Sequence, residues 1–174
     1  MANRFQLINL ISPLVMLLLA TTAFCQTKYD PKYRLPEWVM LKFDHDTTIN
    51  SKYKISEYLN PFYLEADFDG DSSMDIAIAI QERGKNYKGI LILSRTKNKY
   101  FILGAGNKFG RKGGRVDFDW LNNWLICRKK TFEDTDSHKV INLTHPTIFV
   151  EAMEKFSAII YWDGKKYMWA QQGI

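Results

Sequence analysis

Aspartates are concentrated at short, regular intervals in one segment of the chain. Four carboxylates occupy positions 1, 3, 5 and 9 of residues 67–75, namely Asp67, Asp69, Asp71 and Asp75. A calcium ion takes about 6–8 hard oxygen ligands, and a chain that curls around it presents alternate side chains together with a backbone carbonyl. Ser73 would supply that carbonyl, and Gly70 would ease the tight turn between the ligands. The spacing therefore predicts a calcium site at Asp67, Asp69, Asp71, Asp75 and Ser73, with an ion-free, solvated turn as the alternative.

The loop differs from an EF-hand at two positions and in the character of the next residues. Ser72 replaces the glycine at position 6, Ile78 replaces the bidentate glutamate at position 12, and the chain continues as a strand rather than as a helix. The pattern Asp67-x-Asp69-Gly70-Asp71-x-x-x-Asp75, continuing into Ile-Ala-Ile, instead resembles the calcium loop of FG-GAP and VCBS-type repeats. The resemblance covers residues 62–103 and implies that the loop joins two strands of a propeller-like blade and that its aspartates bind calcium. The chain carries one copy, which is too little for a closed propeller.

The first 25 residues have the features of a signal peptide. Arg4 precedes an apolar core from Leu10 to Ala20, and Ala23 and Cys25 are small residues at the positions that a signal peptidase reads. Cleavage before Gln26 predicts a secreted or periplasmic protein. Two alternatives stay open: a lipoprotein acylated on Cys25, and a membrane anchor, although the apolar stretch is shorter than the roughly 20 residues of a bilayer span.

The length and charge of the chain after the predicted signal peptide indicate a single, weakly basic domain. Removing 25 of the 174 residues leaves 149, and because Arg4 is the only charged residue removed, the net charge falls from +5 to +4. This weak excess of basic residues, spread among charges of both signs, does not indicate nucleic-acid binding. The hydrophobic share of 46% is sufficient for a core. Cys127 would be the only thiol left, so the mature chain should contain no internal disulfide and a buried, structural cysteine.

The elements that must position the aspartates are predicted to be short antiparallel strands. Apolar runs separated by turn residues predict strands at Phe62–Ala66, Met74–Ile80, Gly89–Leu93 and Tyr100–Leu103. The link Thr96–Lys99 has hairpin length, and Asp163-Gly164 predicts a C-terminal hairpin between Ala158–Trp162 and Lys166–Trp169. We expect a mainly β fold, an antiparallel meander with a C-terminal hairpin and one or two short helices. It would comprise an extended lead-in over residues 26–36 and a single β-rich domain over residues 37–174.

Three segments outside these strands receive local predictions. Ser51–Leu59 has helical spacing, although Tyr53 and Ile55 would also suit a strand. Trp120 and Trp124 could share one face of a helical turn. Lys129–Lys139 is polar and charged, which is typical of a loop.

Function is less strongly indicated than fold. The segment Gly104–Arg115 carries half of the ten glycines and several basic residues, so it could contact an anionic partner or be an ordinary solvated loop, but it lacks the spacing of a dinucleotide site. The tryptophans could include a sugar-stacking platform, or they could all be core residues. No hydrolase elbow, histidine metal motif or testable carboxylate pair is evident, so no catalytic residue is predicted. We expect an exported binding or structural domain whose partner is a protein, a glycan or an anionic envelope surface. An exported hydrolase is the alternative.

Overall fold

A computed structural model describes residues 29–111 and 113–173. The predicted signal peptide, residues 1–25 with Cys25, lies outside the described residues. Two α-helices, α1 (Glu37–His45) and α2 (Thr47–Lys52), follow a 3-10 helix at Pro31–Arg34. The strands are β1 (Tyr53–Ile55), β2 (Tyr63–Ala66), β3 (Asp75–Glu82), β4 (Lys88–Leu93), β5 (Tyr100–Gly104), β6 (Asn123–Cys127), β7 (Thr131–Asp134), β8 (Lys139–Asn142), β9 (Thr147–Ala152), β10 (Phe156–Trp162) and β11 (Tyr167–Gly173).

The predicted mainly β, antiparallel fold is confirmed. Among the described residues, no helix has the length and apolar character needed to cross a membrane.

Strand β3 is the centre of the first sheet. Strand β4 pairs along one of its edges, β1 and β2 pair in succession along the other, and β5 extends the sheet beyond β4. Every side chain from Asp75 to Ile80 is fully buried. Because successive side chains of a strand point to opposite faces, both faces of β3 must be covered. The uninterrupted apolar run after the aspartates therefore marks the most protected strand of the fold.

A second antiparallel sheet and a separate hairpin complete the fold. The order of this sheet is β11-β10-β9-β6, and β7 pairs only with β8. Ile160 of β10 belongs to the main core, whereas its neighbour Ile159 packs in a smaller cluster with Phe132 and Ile141 of the hairpin. The second sheet thus has the main core on one face and the β7–β8 hairpin on the other. The predicted loop Lys129–Lys139 is wrong for Thr131–Asp134. Thr131 and Glu133 lie on the exposed side of β7, whereas Phe132 packs in the smaller cluster and Asp134 accepts the backbone N–H of Gln171 at 3.1 Å.

The predicted helix Ser51–Leu59 is also wrong. Asp46 caps a helix that starts earlier, its side chain accepting the N–H of Ile49 at 3.0 Å, as expected of an aspartate at this position. The helix ends at Lys52, and Tyr53–Ile55 pairs with the edge of β3, which is the strand that the spacing of Tyr53 and Ile55 also allowed. Backbone pairing with β3, together with burial of Tyr53, outweighs the helical spacing.

Two further local expectations differ from the structure. Part of the lead-in, expected to be extended, is the 3-10 helix Pro31–Arg34, because Pro31 has a backbone angle suited to a helix start and the turn brings Leu35 into the core. The shared helical turn of Trp120 and Trp124 is wrong as well. Trp124 lies in β6, is 1% exposed and donates its indole N–H to the carbonyl of Pro61 at 2.6 Å.

The predicted Asp163-Gly164 hairpin is confirmed, and its turn chemistry is visible in the contacts. Asp163 Oδ1 accepts the N–H groups of Lys165 and Lys166 at 2.8 and 2.9 Å, and Gly164 has a φ of +97°. This backbone region is accessible to glycine and costly for residues with a Cβ. The two predicted strands extend further than expected, to Phe156 and to Gly173.

Gly164→Ala is expected to lower the free energy of unfolding by about 1–2 kcal/mol. A Cβ at this position would meet no atom within 4 Å, so the cost is conformational alone. Gly84→Ala is the matched control, because its Cβ would also meet nothing within 4 Å and its φ lies outside the left-handed region. Urea denaturation of both variants measures the difference, and equal stabilities would contradict the turn geometry.

Candidate metal centre

The aspartate loop joins β2 to β3, two antiparallel neighbours, at the start of the most buried strand. Ala66 pairs with Asp75, so residues 67–74 form the connection. Gly70 and Ser72 both have a left-handed backbone, with φ of +74° and +69°. These two positions let the chain reverse direction twice within a few residues, which turns the aspartate side chains toward one another.

Three of the predicted ligands come together, and they could hold a metal ion. One carboxylate oxygen from each of Asp67, Asp69 and Asp71 lies within 4.8 Å of the others. Asp67 also accepts the backbone N–H groups of Asp71 and Ser72 at 3.0 and 2.9 Å. These bonds orient the Asp67 carboxylate and close the loop around the cluster.

Asp75 has a different position from the other three aspartates. It is fully buried, and its two oxygens accept the backbone N–H groups of Phe68 at 3.1 Å, Asp69 at 3.3 Å and Arg95 at 3.3 Å. Burial, and to a lesser degree the charge of Asp69, raises the pKa of Asp75 to about 6. In this geometry Asp75 ties the base of the loop to the end of the neighbouring β4 strand. Ser73 is half-buried, and its N–H donates to Asp71 Oδ1 at 3.0 Å.

The turn between β4 and β5 supplies further contacts to the loop. Ser94 Oγ donates to Asp69 Oδ2 at 3.3 Å, and Thr96 Oγ1 donates to Asp71 Oδ2. Lys97 Nζ lies 2.9 Å from Asp69 Oδ2 and 3.7 Å from Asp71 Oδ2. The hydrogen bond with Asp69 raises the pKa of Lys97. The register that places Ile76 opposite Leu93 brings this turn beside the loop. Because that register is not evident from the spacing of the aspartates, the sequence gives no signal for these three residues.

One carboxylate oxygen of the cluster is buried without a partner. The Asp69 side chain is only 4% exposed, and while its Oδ2 contacts Ser94 and Lys97, its Oδ1 has no hydrogen-bond partner among the described residues. An unpaired buried acceptor is costly, especially when it carries charge. This oxygen therefore fits a cation, and the observation is independent of the clustering itself.

A cavity of about 550 Å³ opens beside the loop. Its lining includes Asp69 and Gly70 from the loop, His145 from the segment before β9, and Trp162 at the end of β10. His145 packs over the turn, since a Cβ on Gly70 would lie 3.0 Å from its Nδ1. Its Nε2 is buried and has no hydrogen-bond partner in the described part of the chain. The aspartate cluster is thus next to a surface depression with polar and aromatic walls.

The remaining residues considered in the sequence are distributed over the fold. Cys127 is a free, half-buried thiol that packs against the smaller cluster, away from the aspartates in the sheet order. Asp117 accepts the backbone N–H of Lys88 at 2.8 Å, whereas Asp119 is exposed. The chain matches no protein-family model, no curated protein and no solved structure.

Proposed function

We propose that the aspartate loop binds one calcium ion with a structural role, in a small exported domain whose function is binding rather than catalysis. The observation that carries the proposal is the buried, unpartnered Oδ1 of Asp69 within the cluster of Asp67, Asp69 and Asp71. A cation at this place would satisfy that oxygen and offset the repulsion among carboxylates.

The chemistry of the donors favours calcium over transition metals. The clustered ligands are carboxylates, and the hydroxyls of Ser94 and Thr96 lie beside them. Hard oxygen donors suit calcium, magnesium and manganese, whereas zinc and copper favour imidazole or thiolate. Calcium accepts irregular coordination more readily than magnesium does. The resemblance of the loop to those of FG-GAP and VCBS-type repeats supports the same ion.

The position of the loop supports a structural role. The loop begins β3, and Phe68 within it is 1% exposed, so the segment that would hold the ion is also part of the core. A ligand that binds only the folded state stabilises it by a free energy that increases with the logarithm of the ratio of ligand concentration to Kd. Calcium outside the cell would therefore stabilise the start of the most buried strand.

The binding role is supported by the cavity beside the loop, and export is supported by the predicted signal peptide. The cavity combines Trp162 and His145 with the loop residue Asp69, a mixture of aromatic and polar walls that is typical of ligand sites. Its partner would be a protein, a glycan or an anionic envelope surface. In a variant of this proposal, the leader is cleaved before Cys25, and acylation of that cysteine attaches the domain to the envelope.

The test is a calorimetric titration of residues 26–174 with calcium, accompanied by thermal melts in calcium and in chelator. We expect saturable binding near one equivalent and a higher melting temperature in calcium. Magnesium at the same concentration should bind more weakly. If the titration gave no binding heat and the melting temperature did not change, the loop would be a solvated turn without the proposed metal.

Lys97→Met is expected to raise the calcium affinity about two- to fivefold, the equivalent of a solvent-exposed ion pair. The Lys97 ammonium lies against the carboxylates that the ion would use, and its side chain is 41% exposed, so its competition is screened by water. Lys99→Met is the matched control, because Lys99 is exposed in the same turn. Calorimetry of both variants measures the effect, and an unchanged or lower affinity for Lys97→Met would show that the ammonium and the ion do not compete.

A further inference from the structure

A second cavity, of about 310 Å³, is separate from the aspartate loop. Its walls come from the glycine-rich segment, from Trp120 before β6 and from the second sheet, and none of its lining residues belongs to residues 67–75. We refer to it as the arginine–aromatic pocket, lined by Phe109, Gly110, Arg111, Gly114, Arg115, Trp120, Phe156, Trp169 and Gln171. It unites the basic loop with two of the tryptophans, which are separate features in the sequence.

Four half-buried aromatic side chains form the apolar wall of this pocket. The ring centroids of Trp120 and Phe156 are 4.9 Å apart, and those of Trp120 and Trp169 are 5.9 Å apart in an edge-to-face arrangement. Phe109 extends the wall, with its centroid 6.3 Å from that of Trp169. Because each ring holds its neighbour, the wall is formed without a ligand and can cover one face of a flat or ring-shaped molecule.

The polar side chains of the pocket are mainly hydrogen-bond donors. Trp120 Nε1 is buried and has no hydrogen-bond partner among the described residues. Trp169 Nε1, by contrast, donates to Gln171 at 3.4 Å, and Gln171 donates to the carbonyl of Ser157 at 3.0 Å. A buried N–H without an acceptor is unusual enough to require an explanation. Trp120 therefore contributes its ring to the pocket lining, while its unpaired N–H has almost no contact with solvent.

The charge of the pocket is positive, and one of its two arginines has no acidic partner. Arg111 is held by Asp136 through two short hydrogen bonds of 2.8 and 2.7 Å. Arg115 is exposed and forms no ion pair with any residue in the described ranges. The lining contains no carboxylate. A free guanidinium next to an apolar wall is suited to a carboxylate, which it can bind through two parallel hydrogen bonds.

The backbone of the glycine-rich segment holds Arg115 at the pocket. Phe109 and Arg115 exchange two backbone hydrogen bonds of 3.0 and 2.9 Å, which bring these two residues side by side. Gly114 has a φ of +60°, and a Cβ there would lie 3.1 Å from Lys108 Cβ. The glycine thus permits the close approach that places the main chain of Arg115 beside the aromatic wall.

We propose that the arginine–aromatic pocket binds a small ring compound that carries a carboxylate. The ring lies against Trp120 and Trp169, and the carboxylate pairs with Arg115. The cavity is at the lower end of the range for ligand pockets, about 300–1,000 Å³, which limits the bound portion to one or two rings. A uronic acid and an aromatic acid share this chemistry, and the experiment distinguishes them.

The test monitors the indole N–H signals of the ¹⁵N-labelled protein during titration, with the Trp120 signal assigned by Trp120→Phe. Glucuronate and benzoate are the two carboxylate probes. Glucose, which lacks the charge, and acetate, which lacks the ring, are the controls. We expect a saturable shift of the Trp120 signal with glucuronate or benzoate, and the one that binds identifies the source of the ring. No saturable shift with either carboxylate, or an equal shift with glucose, would overturn the proposal.

Variants of the arginines test the proposed ion pair. Arg115→Gln is expected to weaken binding of the active probe about two- to fivefold, the usual effect of losing a solvent-exposed ion pair. Arg128→Gln is the control, because Arg128 is equally exposed but does not line the pocket. Unchanged binding by Arg115→Gln would overturn the assignment, provided that the other indole signals show the native fold. The titrations are repeated in chelator, so their result is independent of the proposed calcium site.

Discussion

Asp69→Ala is expected to lower the calcium affinity by at least about 100-fold. Changing a residue that only supports a metal ligand costs up to about 100-fold in affinity, and Asp69 would be a ligand itself. The Asp69 side chain is only 4% exposed, and its Oδ1 is buried without a hydrogen-bond partner among the described residues. Calorimetric titration measures the affinity. The increase in melting temperature that calcium gives to the unmodified protein should be lost at the same calcium concentration.

The same variant separates a metal site from a structural ion pair when its stability is measured in chelator. Without calcium, Asp69→Ala removes the contact with the half-exposed Lys97, which is worth at most about 1 kcal/mol, and it also removes a buried, unsatisfied oxygen. The melting temperature in chelator should therefore change little. Asp119→Ala is the control, since Asp119 is exposed and outside the loop. A variant that is equally destabilised in calcium and in chelator would indicate that Asp69 serves the fold without an ion.

Trp124→Ala is expected to lower the free energy of unfolding by about 3–5 kcal/mol, a large part of the total for a domain of this size. Trp124 is one of the largest fully buried side chains, and its indole N–H reaches the Pro61 carbonyl just before β2. It therefore connects the second sheet to the first. Its removal leaves both a cavity and an unpaired carbonyl, and urea denaturation in constant calcium measures the loss.

Two variants show which part of this loss comes from packing. Trp124→Phe keeps an aromatic ring but leaves the Pro61 carbonyl unpaired, so we expect a loss of about 1–3 kcal/mol. Leu125→Ala, at the next position of β6, affects a side chain that is 44% exposed and should cost at most about 1 kcal/mol. If Trp124→Ala cost no more than Leu125→Ala, the burial of Trp124 between the sheets would be wrong.

Local patterns predicted the strands and the turns well. The alternation and length of the apolar runs located β2 to β5 within a few residues, and Asp163-Gly164 located the C-terminal hairpin, because these features depend on neighbours in the chain. The failures arose where a partner distant in sequence decided the outcome. Tyr53–Ile55 pairs with β3, and Trp124 of β6 pairs with Val150 of β9. The spacing of both segments had favoured a helix.

The same division applies to the two sites. The spacing of Asp67, Asp69 and Asp71 by itself determined that three carboxylates would meet, since alternate residues of a tight loop turn to the same side. Only the tertiary structure decided that Asp75 binds backbone N–H groups and that Lys97 contacts the cluster from the next hairpin. These contacts depend on strand register, because a shift of one residue would turn every side chain to the other face.

The arginine–aromatic pocket depends still more on tertiary structure. The sequence shows a glycine-rich basic segment and dispersed aromatic residues. The pairing of β10 with β11 and the bridge between Phe109 and Arg115 place Arg115, Trp120 and Trp169 around one cavity. Sequence spacing determines contacts within a turn or a loop. Contacts among residues that are distant in the chain depend on which strands pair and in which register, and these are decided by the burial of the whole core.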